Sequence, residues 1–257
     1  MCGRYNLTLP VEAVRQLFAV VNEVEAFPPR YNIAPTQPVH VVRAGPHGRE
    51  LTLMKWGFMP SWVKDPAKFP LLINARAETA PEKPAFRNAL RRRRVLLPAT
   101  GYYEWKREDG RKVPYLFEAG QPIALAGIYE TWMGPNGEEV DTAAILTTEA
   151  TGIAADYHAR MPLTVAAEHT AEWLDPANDD AARALVWTDR GTYTARPVST
   201  RLGNARNEGI GLLEPDPERP PEPVRETEGP TLGAAEPGAE PRRKAAAASE
   251  DDQPRLL

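Results

Sequence analysis

Between residues 39 and 148 glycine and proline cut the chain into short apolar runs, and this punctuation constrains the fold more than any other feature. Residues 39–42 and 51–56 are strand-like and flank a turn at Gly45-Pro46-His47-Gly48, which predicts a hairpin. Residues 95–98 predict a buried strand. Residues 113–118, 123–129 and 142–148 predict three more, separated by turns at Gly120-Gln121-Pro122 and Gly134-Pro135-Asn136-Gly137. Strands at this spacing predict an α+β domain built on a curved, mainly antiparallel, barrel-like sheet with short flanking helices.

The helical signals are brief. Pro10 opens an amphipathic stretch in which Val11, Val14, Leu17, Phe18 and Val21 share a face, predicting a helix over 10–21. Residues 27–36 form a proline-rich loop that cannot continue it. Residues 85–93 predict a second helix, ending in Arg91-Arg92-Arg93-Arg94; this run can be a nucleic-acid patch, and a solvated helix end that favours cations is the commoner reading for most of it. Residues 171–174 and 179–185 predict further short helices, and 191–198 returns to extended chain.

Charge divides the molecule. From Glu214 onward there are eleven acidic and six basic residues, a net of −5, so residues 1–213 carry about +1 of the whole-chain −4. That segment also holds nine of the 27 prolines and no aromatic residue. It is expected to be a disordered tail, 214–257, behind one domain, 1–213. The near-neutral body can still present a local basic face to nucleic acid. The start of the chain lacks the apolar core of a secretion signal, and no stretch is apolar enough to span a bilayer. With a single cysteine, these features predict a cytoplasmic protein.

That cysteine is Cys2. It has no partner for an intramolecular disulfide, and its small side chain permits removal of Met1. Removal leaves an amine and a thiol on one residue, with reference pKa values of ~7.7–8.0 and ~8.5. An aldehyde meeting this pair can form a Schiff base and then a thiazolidine. An amide or ester can instead be attacked by the thiolate, with the amine as base. A small hydrophobe at a buried terminus is the plain alternative. Three further stretches carry chemistry. Asn74, Arg76 and Glu78 place an amide, a guanidinium and a carboxylate in close succession. Glu104 sits among aromatics in Gly101-Tyr102-Tyr103-Glu104-Trp105, where its pKa is expected to rise. His158 lies in a loop with Arg160 and Pro162 that can project into a cleft. There is no phosphate-binding glycine loop, no zinc-ligand spacing and no Gly-x-Ser-x-Gly elbow. Neither cofactor nor metal is expected.

Several motifs, in order, carry a resemblance: Met1-Cys2-Gly3-Arg4-Tyr5, Arg30-Tyr31-Asn32-Ile33-Ala34-Pro35, Trp56-Gly57-Phe58-Met59-Pro60-Ser61-Trp62, Ile73-Asn74-Ala75-Arg76-Ala77-Glu78-Thr79, Gly101 to Trp105, His158-Ala159-Arg160-Met161-Pro162 and Gly203-Asn204 through Asn207. Together they resemble the SRAP family of SOS-response-associated peptidases, or abasic-site-processing proteins, over nearly the whole body. The resemblance implies DNA repair: recognition of abasic sites in single-stranded DNA and a covalent link to them through Cys2. It implies that His158 opens the sugar, that Glu104 moves protons during Schiff-base and thiazolidine formation, and that Asn74 orients the reacting centre. Arg4, Arg76 and Arg160 would hold phosphates, while Pro35 and Trp62 would wedge against flanking bases. Relatives often carry a second tryptophan after the first, where this chain has Val63. The expected partner is abasic single-stranded DNA, with no membrane, and the protein is expected to act as a monomer near the nucleoid.

Two other chemistries fit the same terminus. An N-terminal-nucleophile cysteine amidohydrolase shares a cysteine placed between Met1 and a glycine, but Arg4-Tyr5 does not continue that pattern. A peptidase that releases its own Met1 would use the same residues. A non-catalytic DNA-binding module would leave Cys2 structural.

Overall fold

The computed structural model describes residues 2–180, 184–185 and 188–216. Among them are three short helices: α1 (Val11–Leu17), α2 (Arg87–Arg92) and α3 (Thr170–Leu174). The twelve strands are β1 (Tyr5–Leu7), β2 (Arg30–Ile33), β3 (Pro38–Gly45), β4 (Gly48–Trp56), β5 (Asn74–Arg76), β6 (Arg94–Glu108), β7 (Arg111–Met133), β8 (Glu139–Glu149), β9 (Arg160–Pro162), β10 (Thr164–Val165), β11 (Thr188–Asp189) and β12 (Thr194–Pro197). The α+β, barrel-like expectation is met.

The barrel closes through five strands. β3 pairs with β4, β4 with β8, β8 with β7, β7 with β6, and β6 returns to β3 at Val42↔Leu96. Hairpins make three of the antiparallel joins, β3–β4, β6–β7 and β7–β8, and the fourth, β6–β3, joins strands distant in sequence. The β4–β8 join is parallel, as is β5 on β8, a mixture that the sequence pattern did not predict. The β3–β4 hairpin turns where expected, with Gly45 opposite Gly48. The predicted break at Gly120-Gln121-Pro122 is not a turn. β7 runs continuously past it, and the β6–β7 register jumps from Ala99↔Ile123 to Gly101↔Glu118, so residues 119–122 form a bulge that bends the strand.

The bulge matters because β6 and β7 have two covered faces. Tyr102, Tyr115 and Phe117 point into the main core, with Tyr102 stacked on Phe117 at 4.9 Å. Tyr103 and Leu116 face the other way, onto Val198, Leu202 and Leu212. The strands approach so closely here that a Cβ on Gly101 would lie 2.6 Å from the Phe117 carbonyl oxygen. Glycine is required by that contact.

Three local expectations are corrected. The first helix stops at Leu17, short of Val21. Ala19 takes a left-handed φ of 51°, and Val20 leaves to bridge Arg49, with the Val21 amide donating to the Arg49 carbonyl. The stretch read as a proline-rich loop contains β2, an edge strand. Its Tyr31 and Asn32 amides donate to the Glu208 carboxylate, which covers the edge. The predicted helix over 179–185 lies partly outside the described residues, as does the tail beyond Asp216. Asp216 itself accepts from Ser199 Oγ at 2.8 Å and Thr200 Oγ1 at 2.6 Å, so bonds cross the expected domain border at 213/214.

The arginine run is not one solvated patch. Arg91 and Arg92 pair with Asp179, and Arg93 pairs with Glu130. Arg94 is buried. Its guanidinium donates to the carbonyls of Leu90 and Arg91 at the end of α2 and of Trp173 and Asp175 at the end of α3. One side chain thus caps two helices. Arg94→Ala is expected to destabilise the fold by about 3 kcal/mol, because it orphans several buried carbonyls at once. Urea unfolding monitored by circular dichroism measures this; an unchanged midpoint would contradict it.

Candidate active site around Cys2

The amino-terminal segment is laid along β6. Tyr5 registers with Tyr102, and the Tyr103 amide donates to the Arg4 carbonyl at 2.9 Å, which sets Cys2 against the stretch ending in Glu104. Cys2 is fully buried. Burial pushes its thiol pKa well up, and the neighbouring Glu104 carboxylate pushes it further. Asn74, at the start of β5, donates from Nδ2 to the Cys2 carbonyl at 3.0 Å. Its Oδ1 is buried and has no hydrogen-bond partner among the described residues. β5 holds this position because Asn74-Ala75-Arg76 registers with Ile145-Leu146-Thr147 of β8.

Glu104 is buried. Burial lifts its carboxyl from 4.5 to about 7. It therefore stands at the midpoint between acid and base near neutral pH, which suits a group that must both give and take a proton. Its register partner Tyr115 packs edge-on against Tyr157 at 4.6 Å, and His158 follows Tyr157. Burial lowers the His158 pKa. The ring meets the Arg160 backbone, whose amide donates to Nδ1 at 2.9 Å. Cys2, Asn74 and Glu104 are thus one cluster, and the His158 loop is packed onto the strand that pairs with Glu104.

The three arginines differ. Arg4 Nη1 donates to Asn32 Oδ1 at 2.7 Å and to the Leu202 carbonyl at 2.8 Å, and its guanidinium lies 5.8 Å from the centre of the Trp105 ring. Asn32 is buried and also donates to the Asn204 and Asn207 carbonyls, tying the segment after Ser199 to β2. Arg160 is paired with Glu78. Arg76 is exposed and has no ion-pair partner among the described residues. Thr147 of β8, the register partner of Arg76, also receives a bond from Arg160, so these two arginines flank one strand end.

Trp62 is 59% exposed, with its ring edge-on to Phe69 at 5.6 Å. Pro35 is half-buried in the loop after β2. No hydrogen bond, ion pair or ring contact joins either of them to the Cys2 cluster among the described residues. Val63 is buried, and its carbonyl accepts from Trp132 Nε1 at 2.7 Å, so it is turned inward beside the exposed Trp62. Asn32, Glu78 and Glu208 act beside the predicted residues, and the sequence assigns them no role of their own. Asn32 and Glu78 fall within the motifs that carry the resemblance, which is the signal for them. Among the described residues, no three or more His, Cys, Asp and Glu side chains gather as metal ligands, and no helix is long and apolar enough to cross a membrane.

Comparison with known proteins bears on this geometry. The chain is 35% identical over 225 residues to the Abasic site processing protein YoaM of Bacillus subtilis, covering 83% of this chain and 98% of the relative. It is 32% identical over 228 residues to the Abasic site processing protein YedK of Escherichia coli, covering 84% and 100%. A crystal structure of a Bacteroides thetaiotaomicron protein shares the fold with a TM-score of 0.70 at 23% identity, over 84% of this chain and all of that one. A phage-related protein of Bordetella bronchiseptica aligns with a TM-score of 0.63 at 28% identity, over 77% and 95%. The family model described as SOS response associated peptidase (SRAP) matches residues 1–205, and the chain belongs to that family.

Proposed function

We propose that this chain recognises abasic sites in single-stranded DNA and links to them covalently through Cys2 after loss of Met1, as a cytoplasmic, nucleoid-associated monomer whose active domain is residues 1–213. The observation that carries the reading is the cluster itself: Cys2 held by Asn74 beside a carboxyl with a pKa of about 7. The names of the relatives support the substrate class.

The chemistry follows from these groups. His158 moves the proton that opens the deoxyribose ring to its aldehyde. The Cys2 amine adds to the aldehyde carbon, and Glu104 as acid delivers a proton to the departing hydroxyl, which leaves as water. The resulting imine is attacked by Cys2 sulfur while the thiol proton passes to the Glu104 carboxylate. A thiazolidine and one water are the products. Asn74 fixes the Cys2 carbonyl, and its Oδ1, without a hydrogen-bond partner among the described residues, is available to the amine. In this scheme the amine adds first and the thiol second; burial disfavours the Cys2 thiolate, and the thiol gives up its proton as it closes the ring.

Denaturing electrophoresis tests the proposal. An oligonucleotide with one abasic aldehyde should give a shifted band, and one with a tetrahydrofuran analogue should not. Equal bands, or no band from protein lacking Met1, would refute it. For DNA positioning, Trp62 and Pro35 supply the wedge against flanking bases, and Arg4, Arg76 and Arg160 the phosphate contacts. Arg76 is the member of the three whose guanidinium has no ion-pair partner among the described residues. Arg76→Ala should reduce the slope of log affinity against log salt by about 0.7 on single-stranded DNA, one phosphate's worth. An unchanged slope would assign that phosphate to another residue.

A further inference from the structure

Glu78 is the charged residue of the Asn74-Ala75-Arg76-Ala77-Glu78 motif that the proposed chemistry leaves without a role. Its carboxylate accepts from both terminal nitrogens of Arg160, Nη1 to Oε1 at 2.9 Å and Nη2 to Oε2 at 2.8 Å. Oε1 also accepts from Thr148 Oγ1 at 2.9 Å and from the Glu149 amide at 3.2 Å. Such fork-to-fork pairing fixes orientation as well as distance. The Arg160 bonds draw the Glu78 carboxyl down to about 2, so it stays ionised at any ordinary pH. Arg160 Nη2 donates further to the Thr147 carbonyl at 2.6 Å.

The backbone of the same arginine holds His158. Its amide donates to Nδ1 at 2.9 Å, and its carbonyl oxygen lies 3.1 Å from the same nitrogen. These contacts suit different protonation states. The amide needs a bare Nδ1, which puts the neutral ring's proton on Nε2. The carbonyl needs an Nδ1–H, as in the imidazolium. One residue's backbone therefore serves both states of a ring that must give and take protons.

We propose that Glu78 is a positioning residue for His158, acting through Arg160: the carboxylate pins the guanidinium, and the pinned residue presents its amide and carbonyl to the imidazole. This rests on the acid–base role proposed for His158. Sequence position alone gives no hint of the link, since the hydrogen-bonded residues Glu78 and Arg160 are 82 positions apart.

Nitrogen-15 NMR of histidine-labelled protein without DNA, in mildly alkaline buffer, reads the ring directly; His158→Gln assigns the signal by removing it. The parent should show the Nε2–H tautomer, and Glu78→Ala should mix the two tautomers. Glu78→Gln, which keeps the shape and one acceptor, should fall between and serves if Glu78→Ala does not fold. In parallel, single-turnover crosslink formation at saturating DNA should slow about tenfold to a hundredfold in Glu78→Ala, as expected when a reacting group is mispositioned. A His158 signal identical to the parent in both variants would overturn the proposal. A parent that forms no crosslink would instead refute the functional reading, and the NMR result would still decide the role of Glu78 in holding the ring.

Discussion

Glu104→Gln is expected to slow crosslink formation by about 10²–10⁴-fold, the usual contribution of a positioned general acid–base group. The change keeps the side chain's size and removes its ability to exchange a proton. Two proton transfers are lost, one to the departing hydroxyl and one from the thiol. In the parent, the rate profile should bend near pH 7, where Glu104 titrates, and that bend should vanish in the variant. Stability should move the other way. The folded carboxyl titrates at about 7 and the free group near 4.5, so its contribution is fully present below 4.5 and is lost as pH rises through 7. Above that point the buried carboxylate opposes folding by on the order of 3 kcal/mol. Glu104→Gln should therefore be more stable than the parent in alkali, with the difference closing towards acid. Stopped-time crosslinking assays and thermal melts over the same pH range measure both. A parent-like rate would remove Glu104 from the mechanism, and a variant less stable in alkali would show that the buried carboxylate does not oppose folding.

Cys2→Ala should reduce stable crosslinking to background. It leaves the amine, so an imine can still form, but nothing closes the five-membered ring. An imine left open favours β-elimination, and the variant should release cleaved DNA where the parent holds it intact. The measured quantities are the heat-stable protein–DNA band and the cleaved strand on one denaturing gel. A heat-stable adduct at the parent's yield would exclude the thiazolidine. The substitution removes little volume from a fully buried site, so a folding defect is a minor effect; large-to-small changes are milder when few atoms are lost.

Much of the barrel was legible because its strands obey local rules. The β3–β4 hairpin carries alternation and glycines at both corners, and the start of β6 is a continuous apolar run. What was hidden depends on partners distant in sequence. β2 is a short edge strand behind two prolines, completed by Glu208 from the other end of the domain. The bulge at residues 119–122 carries the same glycine and proline that mark a turn, and only pairing with β6 decides between them. Arg94 looked like its three neighbours until α3 brought the Trp173 and Asp175 carbonyls to it.

The site divides in the same way. Cys2, Asn74 and Glu104 could be singled out because each residue type carries its own chemistry, and the sheet brings them together. The resemblance implies phosphate contacts for Arg4 and Arg160. Asn32 and Glu78 give both of them internal partners, and no local pattern announces such pairs. Val63 could be noticed as a departure, but that it turns inward follows only from Trp132 bonding its carbonyl.

A thiazolidine at Cys2 has a defined mass, which intact-protein mass spectrometry reads after incubation with single-stranded DNA carrying one abasic site. The expected species is protein minus Met1 plus DNA minus one water, stable without reductant and absent from Cys2→Ala. No such species from protein confirmed to lack Met1, or the same species from Cys2→Ala, would contradict it.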